Sequence, residues 1–262
     1  MVLNDQSKEL SVSERVPEIV VNADSSKTAK EMLVVKEHFI DLFINEQLTA
    51  KLVCTPSNLS QLIIGRMKAE GYIRSIDDVD VLYICEHGSK AKVFLKERTE
   101  LVKTIENEPT CCTGNQVFLA NINGASLKRL EPIEWKEEWI FKLAGEFAGD
   151  SKLHKSTGGT HSCYLGMGDK ILYSAEDIGR HNAMDKAIGY AVMNRLDLST
   201  CILYTSGRVP TDMVKKAVGA GIPILVSKSV PTDQAVEMAA YYNLTLICKA
   251  MPDQFEILNR GE

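Results

Sequence analysis

Residues 201–226, CILYTSGRVPTDMVKKAVGAGIPILV, decide the fold. Cys201 to Thr205 is a short apolar run of strand-forming residues, and Ser206-Gly207-Arg208 punctuates it. Pro210 to Ala220 carries a helical pattern, which Gly221 ends before a second apolar run, Ile224 to Val226. The same alternation continues outward. Upstream, Ser162 to Leu165 and Lys170 to Tyr173 read as strands, followed by a helix from about Asn182 to Asn194. Downstream, Thr232 to Tyr241 reads as a helix and Thr245 to Cys248 as a strand. Strands alternating with helices across short Gly and Pro punctuation predict an α/β layer with a largely parallel sheet. Ahead of it, Pro132 to Phe147 sets Ile133, Trp139, Ile140, Leu143 and Phe147 at helical spacing, which predicts a core-facing helix.

The first half reads differently. Met32 to Val35, Phe39 to Ile44, Leu48 to Cys54, Val79 to Cys85 and Lys92 to Leu95 read as strands. One helix interrupts them, capped by Ser57 or Asn58, with Leu59, Leu62, Ile63 and Met67 on its apolar face and Gly71 at its end. The polar start, with Ile19-Val20-Val21 as its one apolar segment, reads as a mobile leader because so little hydrophobic surface is on hand to offset ordering. The expected division is a leader over 1–30, a smaller β-rich part over 31–130 and an α/β part over 131–262.

Composition narrows the function classes. With 45% hydrophobic and 25% charged residues among 262, the chain has the make-up of a soluble globular enzyme. Its net charge of −5 gives no general pull toward nucleic acid or an anionic membrane. No apolar run approaches the ~20 residues of a membrane span, and the start lacks a signal-peptide core, so a cytoplasmic location is expected. Seven cysteines, at 54, 85, 111, 112, 163, 201 and 248, are odd in number and scattered, as in a reduced intracellular protein.

The pair Cys111-Cys112 stands in Thr110-Cys111-Cys112-Thr113-Gly114-Asn115, a turn-like stretch poor in helix formers. A thiol reacts as its thiolate, which needs exposure and nearby positive charge or N–H donors. Adjacent cysteines chelate zinc poorly, so no metal site is assigned, and sulfur or redox chemistry competes with plain burial of small residues. Three loops of the second half are candidate walls of one pocket. The first is Ser156 to His161, the second Glu176 to Asn182 with Arg180 and His181 at a helix start, and the third Ser206-Gly207-Arg208 after a strand. A hydrogen-bonded turn histidine and a capped, charged helix start are the competing readings of His161 and of Arg180-His181.

The string Ala175-Glu176-Asp177-Ile178-Gly179-Arg180-His181-Asn182-Ala183-Met184-Asp185-Lys186 closely resembles the signature of the FdhD family, accessory sulfurtransferases required for formate dehydrogenase activity. The likeness extends to Thr157-Gly158-Gly159-Thr160-His161, Ser206-Gly207-Arg208, Ala220 to Leu225, Leu244-Thr245-Leu246, Thr55-Pro56 and Glu70-Gly71-Tyr72-Ile73. What the resemblance implies is a sulfur carrier. It would accept sulfur from a cysteine desulfurase as a persulfide and pass it to the molybdenum or tungsten bis(guanine dinucleotide) cofactor before insertion into apo-formate dehydrogenase. That cofactor would be a transient ligand and sulfur acceptor, with none bound permanently. The implied fold is a cytidine-deaminase-like layered sheet with helices plus a smaller β-rich amino-terminal part, commonly as a homodimer.

Many members of that family carry two loop cysteines separated by two residues, whereas here they are adjacent. Aligning on Thr-x-Cys puts the carrier at Cys112, with Cys111 auxiliary and Asn115 where the second cysteine is often found. The family's cofactor-binding segment maps onto Lys249-Ala250-Met251-Pro252-Asp253-Gln254, with weak Gly and Arg character; His161, Arg180, His181, Ser206 and Arg208 complete the cofactor-binding set. Two other classes compete. A zinc deaminase needs a His-x-Glu or equivalent and a Pro-Cys-x-x-Cys arm, both missing from this sequence. A non-catalytic chaperone would bind the cofactor for apo-formate dehydrogenase without moving sulfur.

Overall fold

The computed structural model describes residues 1–7, 10–97, 104–107, 116–119 and 127–262. In chain order the elements are β1 (Val2–Asp5), β2 (Ser13–Val21), β3 (Lys27–Val35), β4 (His38–Ile44), β5 (Gln47–Cys54), α1 (Leu59–Ala69), β6 (Val79–Ile84), β7 (Lys90–Leu95), β8 (Thr104–Asn107), β9 (Gln116–Leu119) and α2 (Glu137–Asp150). They continue as α3 (Lys152–Thr157), β10 (His161–Met167), β11 (Lys170–Asp177), α4 (Arg180–Met193), β12 (Ile202–Thr205), α5 (Thr211–Ala220), β13 (Ile224–Ser227), α6 (Asp233–Tyr241), β14 (Thr245–Cys248) and β15 (Glu256–Asn259). Among the described residues the strands form three sheets, ordered β1-β6-β7-β4-β5-β9-β8, β11-β10-β12-β13-β14-β15 and β2-β3.

The second sheet is mixed, which corrects the expectation of a largely parallel one. β12, β13 and β14 are parallel, but β10 is antiparallel to both β11 and β12, and β15 is antiparallel to β14. The physical reason lies in the connection. Gly168, at φ +59°, and Asp169 join β10 to β11 in a link too short for a crossover, so the two strands must run opposite ways.

Strand alternation gives this sheet two apolar faces. Tyr164, Ile202, Tyr204, Ile224, Val226 and Ile247 share a core with Ile140, Leu143, Ala144 and Phe147 of α2. Phe147 packs its ring 4.7 Å from Tyr164 and 4.4 Å from Tyr204. The core-facing helix therefore exists, but it starts at Glu137 rather than Pro132. Glu137 and Glu138 then lie in its first turn, where the helix dipole favours negative charge. The opposite face, with Cys163, Leu165, Leu203, Leu225 and Leu246, belongs to a larger core shared with α1, α4, α5 and the first sheet.

In that larger core α1 meets α4 and α5 backbone to backbone. A Cβ on Gly65 would lie 1.7 Å from the Asp185 carbonyl oxygen, and one on Gly189 would lie 1.8 Å from that of Gln61. A Cβ on Gly219 would come within 2.1 Å of the Ala69 carbonyl oxygen. Glycine at these three positions sets how closely the helices approach.

The stretch expected to be a mobile leader carries strands. β1 pairs in parallel with β6 from Val2↔Val81 to Asp5↔Ile84, and Gln6 N–H donates to the Ile84 carbonyl at 3.0 Å. Asp5 Oδ2 accepts from Ser60 Oγ at 2.5 Å, tying β1 to the start of α1. Ile19 to Val21 lie in β2, paired with Lys27 to Ala29 of β3 rather than with the body sheets. Low hydrophobicity misled here because an edge strand is held by backbone hydrogen bonds, which side-chain composition does not report. Removing Met1 to Ser7 should lower the melting temperature by about 4 °C, since one or two hydrogen bonds' worth of stability (about 1–2 kcal/mol) shifts a chain of this size that far. Thermal denaturation giving an unchanged value would show that β1 contributes nothing.

Candidate functional site

α4 begins at Arg180, two residues ahead of the expected start, and the turn before it is built around Asp177. Asp177 Oδ1 accepts from Gly179 N–H and Asn182 Nδ2, each at 2.9 Å. Its Oδ2 accepts from Thr55 N–H at 3.1 Å and Thr55 Oγ1 at 3.0 Å, and lies 2.7 Å from Lys186 Nζ. Lys186 Nζ also donates to Thr55 Oγ1 at 2.7 Å, and Asn182 Nδ2 donates to the Val53 carbonyl at 2.7 Å. Thr55, Asp177, Asn182 and Lys186 are all fully buried. One turn farther on, Lys216 Nζ donates to both Asp185 oxygens at 2.9 Å, while Arg66 pairs with Glu70 at 2.7 Å. Much of the histidine-containing signature thus serves to bind α4 to the end of β5 and to α1 and α5.

Arg180 and His181 fill the first turn of α4 and are buried. His181 Nε2 lies 3.0 Å from Asp212 Oδ2, in the first turn of α5. Gly207 rests on the Arg180 stem: a Cβ there would come within 2.8 Å of Arg180 Cβ and Cδ. The Ser206 turn and the α4 start therefore do converge, as the sequence suggests.

In front of them is an open cleft of about 530 Å³ whose walls include His154, Thr160, His161, Ser206, Lys228 and Ser229. It lies beyond the carboxyl ends of parallel strands β12 and β13, where open α/β sheets bind ligands. The turns there are stitched side by side. Ser227 Oγ donates to the Gly207 carbonyl at 2.7 Å, Lys228 N–H to the Thr205 carbonyl at 3.0 Å, and Lys249 N–H to the Ser229 carbonyl at 2.9 Å. His161 Nδ1 lies 3.2 Å from Ser206 Oγ, which accepts from Ser162 N–H at 3.0 Å. Burial, then Arg180, His154 and His181, hold His161 below the ordinary histidine range, against the pull of Asp177.

Of the sequence-expected residues, His161 and Ser206 line the cleft, and Arg180 is packed against Gly207 of the same turn. Arg208 is exposed and stands outside the lining. Lys249 to Gln254 stand outside the lining, tied beside it by Lys249 N–H to the Ser229 carbonyl and Ala250 N–H to the Ser227 carbonyl. Lys249, at φ +46°, pairs with Glu256 at 3.0 Å, and Ala250 is buried with its carbonyl accepting from Tyr204 OH at 2.6 Å. Met251 N–H closes a turn onto the Gln254 carbonyl at 2.7 Å, leaving Pro252, Asp253 and Gln254 exposed. Sequence reasoning missed His154, whose Nδ1 lies 2.6 Å from the Thr160 carbonyl, and Lys228. Neither stands in a pattern that marks a site.

Cys111 and Cys112 lie outside the described residues. The strands on either side of them are described: β8 pairs with β9 through Asn107↔Gln116, and Gln116 is opposite Lys51 of β5. The β5–β9 pairing is antiparallel, so the step from Val117 to Gln116 runs along β5 from Ala50 to Lys51, toward Cys54 and Thr55, and Thr55 N–H is bonded to Asp177. Four of the described cysteines are poor thiolates. Burial, aided by Asp177 for Cys54 and by Asp185 for Cys163, pushes both thiols far up, while Cys201 is raised to about 11 and Cys248 to about 12, again chiefly by burial. Cys85 differs: burial pushes it up, but hydrogen bonds from the Ser89 hydroxyl and from backbone N–H groups at 90, 87 and 89 outweigh that and leave it lowered.

The fold defines a mixed α/β protein with an open cleft beyond the carboxyl ends of two parallel strands. The family model for the FdhD/NarQ family matches residues 35–262. The sulfur carrier protein FdhD of Listeria monocytogenes serotype 4b is 30% identical over 238 residues, covering 88% of this chain and 91% of the relative. Protein FdhD of Methanocaldococcus jannaschii is 32% identical over 231 residues, covering 88% and 90%. A crystal structure from Desulfotalea psychrophila, of a protein assigned as a formate dehydrogenase accessory protein, superposes with a TM-score of 0.77 at 21% identity, covering 95% of this chain and 97% of its own. This chain belongs to the FdhD/NarQ family.

Proposed function

We propose that this protein is a sulfur carrier that serves formate dehydrogenase. It takes sulfur from a cysteine desulfurase as a persulfide on Cys112, with Cys111 auxiliary, and passes it to the molybdenum or tungsten bis(guanine dinucleotide) cofactor before insertion into the apo-enzyme. The observation that supports this reading is the joint between the two halves: β5, which pairs with β9, leads at Thr55 into the Asp177 turn beside the cleft. Family membership supports it, as do the raised thiols of Cys54, Cys163, Cys201 and Cys248, which leave few competing nucleophiles. Helices on both faces of the second sheet support a cytidine-deaminase-like layering. Among the described residues no helix is long and apolar enough to cross a membrane, in keeping with work in the cytoplasm. The β2–β3 ribbon, with Ile19, Val21 and Met32 exposed, offers surface for a homodimer.

The direct test is intact-protein mass spectrometry after incubation with a cysteine desulfurase and cysteine, followed by peptide mapping. Added sulfur on the peptide holding Cys111 and Cys112 is expected; sulfur on the Cys85 peptide alone would move the carrier elsewhere. The rival reading, a chaperone that binds the cofactor without moving sulfur, requires that no sulfur be taken up at all.

The cleft should bind GDP as a cofactor fragment, because Lys228 brings positive charge to its wall in an otherwise acidic chain and the His154 and His161 rings stand beside it. Affinity should fall with added salt. Calorimetry should show weaker binding for Arg180→Ala, which removes the stem under Gly207, whereas Arg208→Ala, outside the lining, should bind as wild type does. Equal affinity of Arg180→Ala and wild type would take Arg180 out of the site.

His161 also sets a pH dependence. Its folded pKa is lowered, so between that value and the unfolded value near 6.5 the unfolded chain binds the proton more readily. Its contribution to stability is therefore intact above about pH 6.5 and is lost as the pH falls through that window. Chemical denaturation across pH should show a slope that His161→Gln reduces; an identical slope in the variant would place the acid sensitivity elsewhere.

A further inference from the structure

Thr55 presents three groups to one buried ion pair. Its N–H and Oγ1 donate to Asp177 Oδ2 at 3.1 and 3.0 Å, its Oγ1 accepts from Lys186 Nζ at 2.7 Å, and its carbonyl accepts from the same Nζ at 3.2 Å. Asp177 and Lys186 have no exposed side-chain surface, and 122 residues separate Asp177 from Thr55. A buried ion pair is weak evidence for stability in itself, because desolvation offsets most of the attraction. What this pair does structurally is hold one specific residue of the first half. The Thr55 hydroxyl closes the ring between carboxylate and ammonium, and Asn182 adds a second tie, from Nδ2 to the Val53 carbonyl at 2.7 Å.

Two elements lead away from that ring. β5 runs back from Cys54 to Lys51, opposite Gln116 at the root of the β8–β9 hairpin. α4 runs forward from Arg180, which backs the Ser206–Gly207 turn and hence His161 in the cleft. A shift at Thr55 would displace the hairpin root relative to the cleft while leaving each internally intact.

We infer that Thr55 is a positioning residue: its hydroxyl, held between Asp177 and Lys186, sets β5, and through it the paired strands β9 and β8 that stand on either side of the cysteine pair in the chain, relative to the cleft, as sulfur transfer requires. This rests on the sulfur-carrier reading. Misplacement of reacting groups by about 1 Å can cost about a hundredfold in rate, so a loss of about tenfold or more in transfer is expected from a small shift. Loading of sulfur and binding of nucleotide each use one side of the joint, and both should survive.

The experiment compares full-length wild type, Thr55→Val and Thr55→Ser in three measurements. These are sulfur uptake from a cysteine desulfurase and cysteine by intact mass, GDP affinity by calorimetry, and formate dehydrogenase activity recovered from apo-enzyme. Thr55→Val keeps the volume and loses the hydroxyl; it should load sulfur and bind GDP within about twofold of wild type yet recover about tenfold less activity. Thr55→Ser should restore it. The inference is overturned if Thr55→Val transfers as well as wild type, if Thr55→Ser fails as Thr55→Val does, or if uptake, GDP affinity and activity all fall together, which marks a structural role. If wild type takes up no sulfur, the carrier reading falls and this role with it. Loading by wild type with full transfer by Thr55→Val removes the positioning role alone.

Discussion

Gly189→Ala is expected to cost the protein about 3 kcal/mol or more, enough to leave it largely insoluble, although it adds a single methyl group. The new Cβ would lie 1.8 Å from the Gln61 carbonyl oxygen and 2.6 Å from its carbonyl carbon. Both belong to backbone in the middle of the core, so no flexible side chain can give way. Gly65→Ala meets the same obstacle from the other side, 1.7 Å from the Asp185 carbonyl oxygen. The control is Gly145→Ala in α2, where nothing lies within 4 Å and helix propensity alone should stabilise by roughly 0.5–1 kcal/mol. Soluble yield and urea denaturation midpoints read both effects. If Gly189→Ala unfolds at the same denaturant concentration as wild type, α1 and α4 do not pack as closely as described.

The largest functional effect should come from the cysteine pair. Cys112→Ser is expected to abolish maturation of formate dehydrogenase, and Cys111→Ser to reduce it, when each is supplied in place of wild type. Substitution of Cys163 or Cys248 by Ala should leave sulfur uptake intact, since burial keeps those thiols protonated at neutral pH. Cys85→Ser is the informative comparison, because that thiol alone among the described cysteines is lowered rather than raised. Full activity of Cys112→Ser with loss in Cys111→Ser would shift the carrier by one residue. Full activity of both, with loss in Cys85→Ser, would remove the pair from the reaction.

Several elements were legible from local pattern because each carries its own period and its own stop. α5 is an example: Pro210 precedes it, its apolar positions face inward, and Gly221 at φ +82° closes it. α1 and its end at Gly71 follow the same logic, though Asn58 caps through an unusual φ of +54° and gives its side chain to Tyr173 instead. Short α3 and β15 escaped notice, one being six residues of polar sequence and the other a four-residue edge strand. At the site, glycine-bearing turns at strand ends pointed to His161 and Ser206. Nothing local distinguishes Lys228 or His154, whose roles depend on what folds up beside them.

By itself the sequence determined the alternation of strands and helices in the second half, the core-facing stripe of α2, and the family to which the chain belongs. Periodicity and motif are properties of neighbouring residues, and both survive without the fold. The tertiary structure alone decided the rest. Strand direction in the second sheet depends on which strands pair, and pairing is a long-range choice. The order found in β1 comes from backbone bonds to β6, some 80 residues away, which composition does not encode. Asn182, at the end of a loop the sequence reads as a pocket wall, and Lys186 of the same signature are turned toward Asp177 and Thr55. The counter-charge of buried Lys186 is Asp177 in the same half, but the hydroxyl that bridges the two comes from Thr55 in the other half, and only the fold brings it there.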